Sequence, residues 1–280
     1  MEFYTSEAVN DHLTCIRSRT GELMYLLTGA EKAVLVDSCA GVGHLKEYVE
    51  GLTDLPVTLL LTHGHVDHAM GAPDFETVYL NEKDISIYQK QCTLDERKGY
   101  LSAALGEEAD KIPEEEFTRS EPDQTFLPLS DGMTIDAAPF HLDCFAFSGH
   151  TPGSMVFLIR EMKILILGDA CNNSTFLFDE DSTSLEEYKE EAEKQKTRLK
   201  GRFDRVFLSH HVMETDTDIL NNMVDVCDAA LRGTADDIPF EFMGIQAYIA
   251  KSCNERFERT DGKSGNVIYN KNKLYKEEQQ

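Results

Sequence analysis

The stretch Thr62-His63-Gly64-His65-Val66-Asp67-His68 holds three histidines and one aspartate between positions 63 and 68. It follows Val57-Thr58-Leu59-Leu60-Leu61, an unbroken apolar run of the kind a buried strand shows. A buried strand is a rigid base, and the loop at its end presents side chains in a cleft. Imidazole and carboxylate are ligands that borderline metals such as zinc accept. In extended backbone side chains alternate with period two, so His63 and His65 can point the same way. A turn at Asp67 and His68 aims those two at a second ion.

Upstream, Pro56 breaks the chain before the apolar run. Residues 44–52 have helical spacing, with Leu45, Tyr48, Val49 and Leu52 on one face. Residues 23–27 and Ala33-Val34-Leu35-Val36-Asp37 read as strands. Downstream, Val78-Tyr79-Leu80 is a shorter strand signal. Residues 82–124 change to helix formers and acid runs (Glu107-Glu108, Asp110, Glu114-Glu115-Glu116), which predicts a helical insertion with a solvated face.

Strands resume at residues 133–135, 154–159 and 163–167, with turns at Asp131-Gly132 and Arg160-Glu161-Met162. Ser184-Leu185-Glu186-Glu187 matches a capping box and opens a helix to about Leu199. A strand at 206–208, a helix near 216–232 and a short β pair at 266–275 complete the reading. No repeat, low-complexity tract or Pro/Gly-rich linker interrupts the chain. One compact domain over residues 1–280 is expected, of mixed α and β class, with a C-terminal extension from about 233.

Three further stretches carry chemistry: Ser148-Gly149-His150-Thr151-Pro152-Gly153-Ser154, Leu167-Gly168-Asp169-Ala170 and Phe207-Leu208-Ser209-His210. With the H-x-H-x-D-H stretch and the strand ending at Asp37, these five motifs in this order resemble the metallo-β-lactamase superfamily. In style they are nearest its glyoxalase II and lactonase branches. The resemblance runs from about Leu23 to His211.

It implies an α+β fold, the four-layer αββα metallo-β-lactamase sandwich. It also implies a dinuclear centre with His63, His65 and His150 on the first metal, Asp67, His68 and His210 on the second, and Asp169 bridging both. Two divalent ions are implied, zinc first, with iron or manganese compatible with the same donors. His210 and His211 are adjacent, and the family pattern puts the ligand directly after the small residue that ends the strand, so His210 is chosen. His12, His44 and His141 fall in no ligand pattern and read as structural or exposed.

One departure stands in the first motif. The family often has a glycine pair two residues after its last histidine, whereas this chain has Ala69-Met70-Gly71-Ala72. Met70 either narrows that turn or lines the cleft. Cys171, two residues past Asp169, reads as a small buried residue. Asn172 and Asn173 are candidate substrate contacts.

The implied activity is that of a metal-dependent hydrolase, with hydroxide supplied at the dinuclear site and Asp67 orienting the water and accepting its proton. A small ester-like bond, thioester or lactone, is the favoured substrate. β-Lactam or phosphodiester cleavage are alternatives. So is an iron-dependent oxidoreductase of the persulfide dioxygenase type using His63, His150 and Asp169 alone. A non-catalytic protein that keeps the fold is the third reading. Specificity is expected from the 82–124 insertion and the segments after Asp169.

Composition narrows the partners. The 280 residues carry 27 Lys+Arg against 51 Asp+Glu, a formal charge of −24. Such a chain repels phosphate backbones, so the partner expected is a small molecule and no nucleic acid. Apolar runs fall far short of the ~20 residues of a spanning helix, so no membrane is expected. The first seven residues lack a basic segment leading into an apolar core. The seven cysteines include no C-x-x-C pair, which suits a reducing cytoplasm, although a processed chain would read the same. Nothing in the sequence speaks to oligomeric state.

Overall fold

The computed structural model describes residues 2–242 and 244–276. They gather into two compact units, the first running to Cys144 and taking in Ser209–Met213, the second formed by Phe145–Leu208 and the chain from Glu214 onward.

Unit 1 is built on a seven-stranded sheet whose spatial order follows the chain: β1 (Tyr4–Ala8), β2 (Leu13–Ser18), β3 (Leu23–Thr28), β4 (Ala33–Val36), β5 (Val57–Leu60), β6 (Thr77–Leu80) and β7 (Leu127–Pro128). The first four strands pair antiparallel and the last four parallel. β4 is buried along its whole length, as its run of Ala-Val-Leu-Val requires of a strand covered on both faces. Parallel neighbours need crossovers, and helices supply them. Helix α1 (Leu45–Glu50) lies between β4 and β5, and the single turn α2 (Val66–Ala69) follows β5. Between β6 and β7 the chain makes α3 (Ile85–Gln91) and α4 (Leu94–Leu105), the latter capped by the Thr93 hydroxyl. These helices and short 3-10 turns occupy the 82–124 stretch, where helix formers were concentrated. A hairpin of β8 (Thr134–Ala137) and β9 (Phe140–Ala146) brings the chain to the boundary at Cys144.

The parallel register of β4 and β5, Val36 opposite Leu60, sets the position of everything that follows. The two strands end side by side. Asp37 leaves one C-terminal end and Thr62 the other, and parallel sheets place ligands outside those ends.

Unit 2 pairs β10 (Met155–Ile159), β11 (Ile164–Ile166), β13 (Arg205–Phe207) and β14 (Glu214–Thr215), with β11 and β13 parallel. A second sheet runs β12 (Thr175–Leu177), β17 (Val267–Tyr269), β16 (Ile245–Ile249), β15 (Ile238–Phe242). Helix α5 (Leu185–Leu199) buries Leu185, Tyr188, Ala192, Gln195 and Leu199, the three-and-four spacing of one helix face. The Ser184–Glu187 capping box opens it, as the sequence indicated. Helix α6 (Ile219–Leu231) begins three residues later than the predicted start and packs its Met223 and Cys227 into the same core.

The tail departs from its predicted β pair. Only β17 is strand, and its partners are the distant β12 and β16. After Tyr269, the Asn270 side chain accepts from the Asn272 N–H and turns the chain into a short 3-10 helix at Lys271–Lys273. An asparagine that satisfies its own backbone favours a turn over a returning strand.

Candidate metal centre

In unit 1 the ligand loop is held from below by carboxylate and amide oxygens. The buried Asp84 accepts the Gly64 N–H at 3.0 Å, and Gln91 of α3 accepts the Val66 N–H at 2.7 Å. A Cβ at Gly64 would meet the Asp84 carbonyl oxygen at 2.5 Å, so only glycine permits this approach. The Ser38 hydroxyl and N–H both donate to the His68 carbonyl, at 3.0 and 2.7 Å.

Asp37 governs the two histidines at either end of the loop. Its carboxylate accepts the Thr62 N–H at 2.7 Å and the Thr62 hydroxyl at 2.9 Å. It also stands 2.9 Å from His68 Nδ1. A carboxylate only accepts, so Nδ1 carries the proton and the His68 lone pair is on Nε2. Thr62, having given its hydroxyl proton to Asp37, accepts from His63 Nδ1 at 3.0 Å, which puts the His63 lone pair on Nε2 as well. Metal-binding histidines are oriented by this kind of partner at the other ring nitrogen.

His210 enters on the strand end that follows β13, where Leu23 N–H donates to Ser209 carbonyl at 2.8 Å and Glu22 bridges His210. His68 Nε2 and His210 Nε2 are 3.1 Å apart, and the Asp67 carboxylate lies 3.7 and 3.5 Å from them. Donor atoms of these three residues all fall within 4.8 Å of one another, as do those of His63 and His65. His211 turns away. Its backbone is left-handed, at φ 54, and its N–H donates to the Gly21 carbonyl at 2.8 Å while its ring lies against Gly21.

Glu22 is a feature the sequence did not single out. Its carboxylate is buried and accepts from the Ser18, Thr20 and Tyr100 hydroxyls and, at 3.2 Å, from the Cys39 thiol. Burial works to raise this carboxyl, but the His210 charge and the hydroxyl donors outweigh it and hold it below the ordinary range.

Unit 2 contributes His150 and Asp169. His150 Nδ1 donates to the Phe176 carbonyl at 2.9 Å, so its lone pair too is on Nε2, 3.9 Å from Asp169 Oδ2. Asn172 Nδ2 donates to Asp169 Oδ1 at 3.2 Å, and Asn173 Oδ1 accepts from the Gly265 N–H at 3.3 Å. The structure thus gives both asparagines supporting contacts. Gly149 lets the chain pass against the buried Tyr188 ring, where a Cβ would sit 2.1 Å from the ring edge. Cys171 is fully buried, and burial pushes its thiol up to about 12.

Met70 is buried in the unit 1 core, its N–H on the Cys39 carbonyl at 3.0 Å. His12 and His44 lie at the surface, and His44 is 3.7 Å from Glu116.

This donor set fits a metal. In each unit imidazole nitrogens with fixed lone pairs stand beside a carboxylate. The His68 and His210 Nε2 atoms approach to hydrogen-bond distance with a carboxylate beside them, an arrangement that a shared cation stabilises directly.

The sequence profile of the Metallo-beta-lactamase superfamily matches residues 18–210. The chain is 32% identical over 149 residues to the probable metallo-hydrolase YqgX of Bacillus subtilis (strain 168), covering 52% of this chain and 64% of that protein. It therefore spans just under two-thirds of that relative's length. It is 24% identical over 200 residues to the human acyl-coenzyme A thioesterase MBLAC2, covering 63% of this chain and 70% of that one. A shorter match, 33% over 91 residues, is to ribonuclease Z of Bradyrhizobium sp. (strain ORS 278), 31% of this chain and 27% of that protein. Among solved structures, a metallo-beta-lactamase from Pontibacter korlensis shares the fold at a TM-score of 0.59 and 16% identity, over 80% of this chain and 99% of that one.

Proposed function

The chain belongs to the metallo-beta-lactamase superfamily, and on that premise we propose that it is a metallo-hydrolase that cleaves a small thioester or related ester with two divalent metal ions, zinc in the first place. His63, His65 and His150 would hold one ion, Asp67, His68 and His210 the other, with Asp169 shared. Such a pair would supply an acidified water and polarise the substrate oxygen.

The observation that carries this reading is the meeting of His68 and His210 at 3.1 Å beside Asp67, with the outer nitrogen of His68 fixed by Asp37. The chain's own residues do the rest. Asp37 holds His68, and through Thr62 also His63, in the tautomer that leaves Nε2 available for binding. The Phe176 carbonyl does the same for His150. Asp67 is the residue we assign to orient the attacking water and take its proton, because it is ionisable, only partly exposed and borders both nitrogens. Asn172 fixes one oxygen of Asp169 and so directs the other.

The thioester preference is supported by the likeness to the human thioesterase. The charge of −24 weighs against a polyanionic phosphodiester, even with the shorter ribonuclease Z match. Hydrolysis by zinc-loaded protein of a thioester, a lactone, a β-lactam and a phosphodiester, with Asp67→Ala as control, tests the proposal. Thioester turnover that the variant lacks supports it. Turnover of the phosphodiester alone, or of none, overturns it.

A further inference from the structure

We propose that the small sheet of unit 2 is the acyl-chain subsite of this enzyme, taking the apolar tail of a medium or long acyl thioester. The inference rests on the thioester reading above.

One face of the sheet packs Leu177, Val267 and Tyr269 into the main core of unit 2, and the other carries a separate apolar cluster. On β15, Ile238, Phe240 and Phe242 alternate with Pro239 and Glu241, so the three share a side. Their directly opposed partners on β16 are Ile249, Ala247 and Ile245, and opposed residues stand on the same side. Ile249 pairs with Ile268 of β17, and Ile268 with Phe176 of β12, which carries the face across all four strands.

β12 and β15 are the two edge strands, three strand spacings apart, or about 14 Å in a flat sheet. Yet the Phe176 ring lies 5.5 Å from Phe242 and 6.0 Å from Phe240, and Phe178 lies 6.2 Å from Phe240. The sheet therefore curls, and its edges bring their rings together over a floor of Ala247, Ile249 and Ile268.

Two features separate this face from an ordinary small core. Its floor is buried, but Phe176, Phe240 and Phe242 are only partly buried, and Ile238 and Ile245 are 40% and 37% exposed. They are two of the six large hydrophobics exposed among the described residues, and both belong to one hairpin. The second feature is position. The carbonyl of Phe176 is the acceptor that orients His150, so the aromatic face begins at a residue touching a proposed metal ligand. An apolar face that begins beside His150 fits the apolar part of the scissile substrate. The opposite side of the hairpin carries Glu241 and Gln246 near its turn and Pro239 and Tyr248 farther along, with Tyr248 packed on the main core of unit 2.

The test is a series of N-acetylcysteamine thioesters from acetyl to dodecanoyl, with dodecanoate binding measured by calorimetry in parallel. With the native protein, kcat/KM should rise about tenfold for each two methylenes added until the face is filled. The Phe240→Ser/Phe242→Ser double variant should flatten that rise and abolish dodecanoate binding while leaving acetyl turnover within about twofold. A native series with no rise overturns the proposal, and so does a rise that survives in the variant. If no thioester is cleaved, the functional reading of the preceding subsection fails. Dodecanoate binding then decides the subsite, and equal binding by native and variant overturns it. Should the double variant not fold, Ile238→Ser and Ile245→Ser at the exposed rim are read in the same way.

Discussion

Asp37 accepts the Nδ1 proton of His68 at 2.9 Å, and this contact joins the first motif of the chain to its second. It exists because β4 and β5 are parallel and in register, so Asp37, directly after β4, lies beside the loop after β5 that carries Thr62 and His68. Asp37 adopts φ 65, a left-handed conformation that Asp and Asn tolerate better than most residues. Asp37→Asn therefore keeps the backbone but cannot accept from Thr62 and His68 together. Zinc affinity should fall roughly 10- to 100-fold with little change in far-UV circular dichroism. Competition with a chromophoric chelator measures it. Unchanged affinity would remove Asp37 from the account.

The adjacent histidines give a clean comparison. His210 faces His68 across 3.1 Å, whereas His211 packs its ring on Gly21. His210→Ala should lower zinc stoichiometry and reduce turnover by at least about 100-fold, while His211→Ala should retain both. Metal analysis beside turnover distinguishes them, and equal losses would contradict the assignment.

Glu22 predicts a pH dependence. Its folded pKa lies below the unfolded value of about 4.3, so its stabilisation is complete above that value and is lost as pH falls through the lower, folded one. Glu22→Gln offers one oxygen to donors that now share two, and should cost about 2–4 kcal/mol at pH 7. Thermal melts of metal-free native and variant protein should converge as the pH is taken below about 4. A constant gap would show that the charge of Glu22 is immaterial.

Gly149→Ala tests the packing behind His150. The added methyl meets the fully buried Tyr188, whose hydroxyl is tied to the Ala170 carbonyl at 2.8 Å. Neither side can yield cheaply, so the variant should lose roughly 1–3 kcal/mol or more. For a chain of this size that lowers Tm by about 2–4 °C per kcal/mol. An unshifted melt would mean that the ring moves freely.

Much of this was legible in the sequence because it is local. The apolar run before Thr62, the capping box at Ser184 and Glu187, and the seven proposed donors all lie in short stretches whose chemistry is plain. What escaped is set by pairing between distant segments. Glu22 gains meaning only when β3 meets the strand end at His210 and α4 brings Tyr100 to it. Asp84 and Gln91 look like ordinary helix residues until Gly64 and Val66 come to rest on them. The hairpin of β15 and β16 went unread, and β17, buried along its length, was assigned a neighbour in the tail, because its partners β12 and β16 come from earlier in the chain and not from the adjacent residues. Phe240 and Phe242 alternate correctly, yet only the curl of the sheet shows what they face.

Metal content of the purified protein, read together with thioester turnover before and after chelation, tests the central claim most directly. The account predicts two zinc ions per chain in zinc-loaded native protein and loss of turnover with EDTA. It also predicts recovery on adding zinc back, and fewer than two ions with no recovery for Asp169→Ala. A protein that retains no metal, or that cleaves its substrate equally well in EDTA, would contradict it.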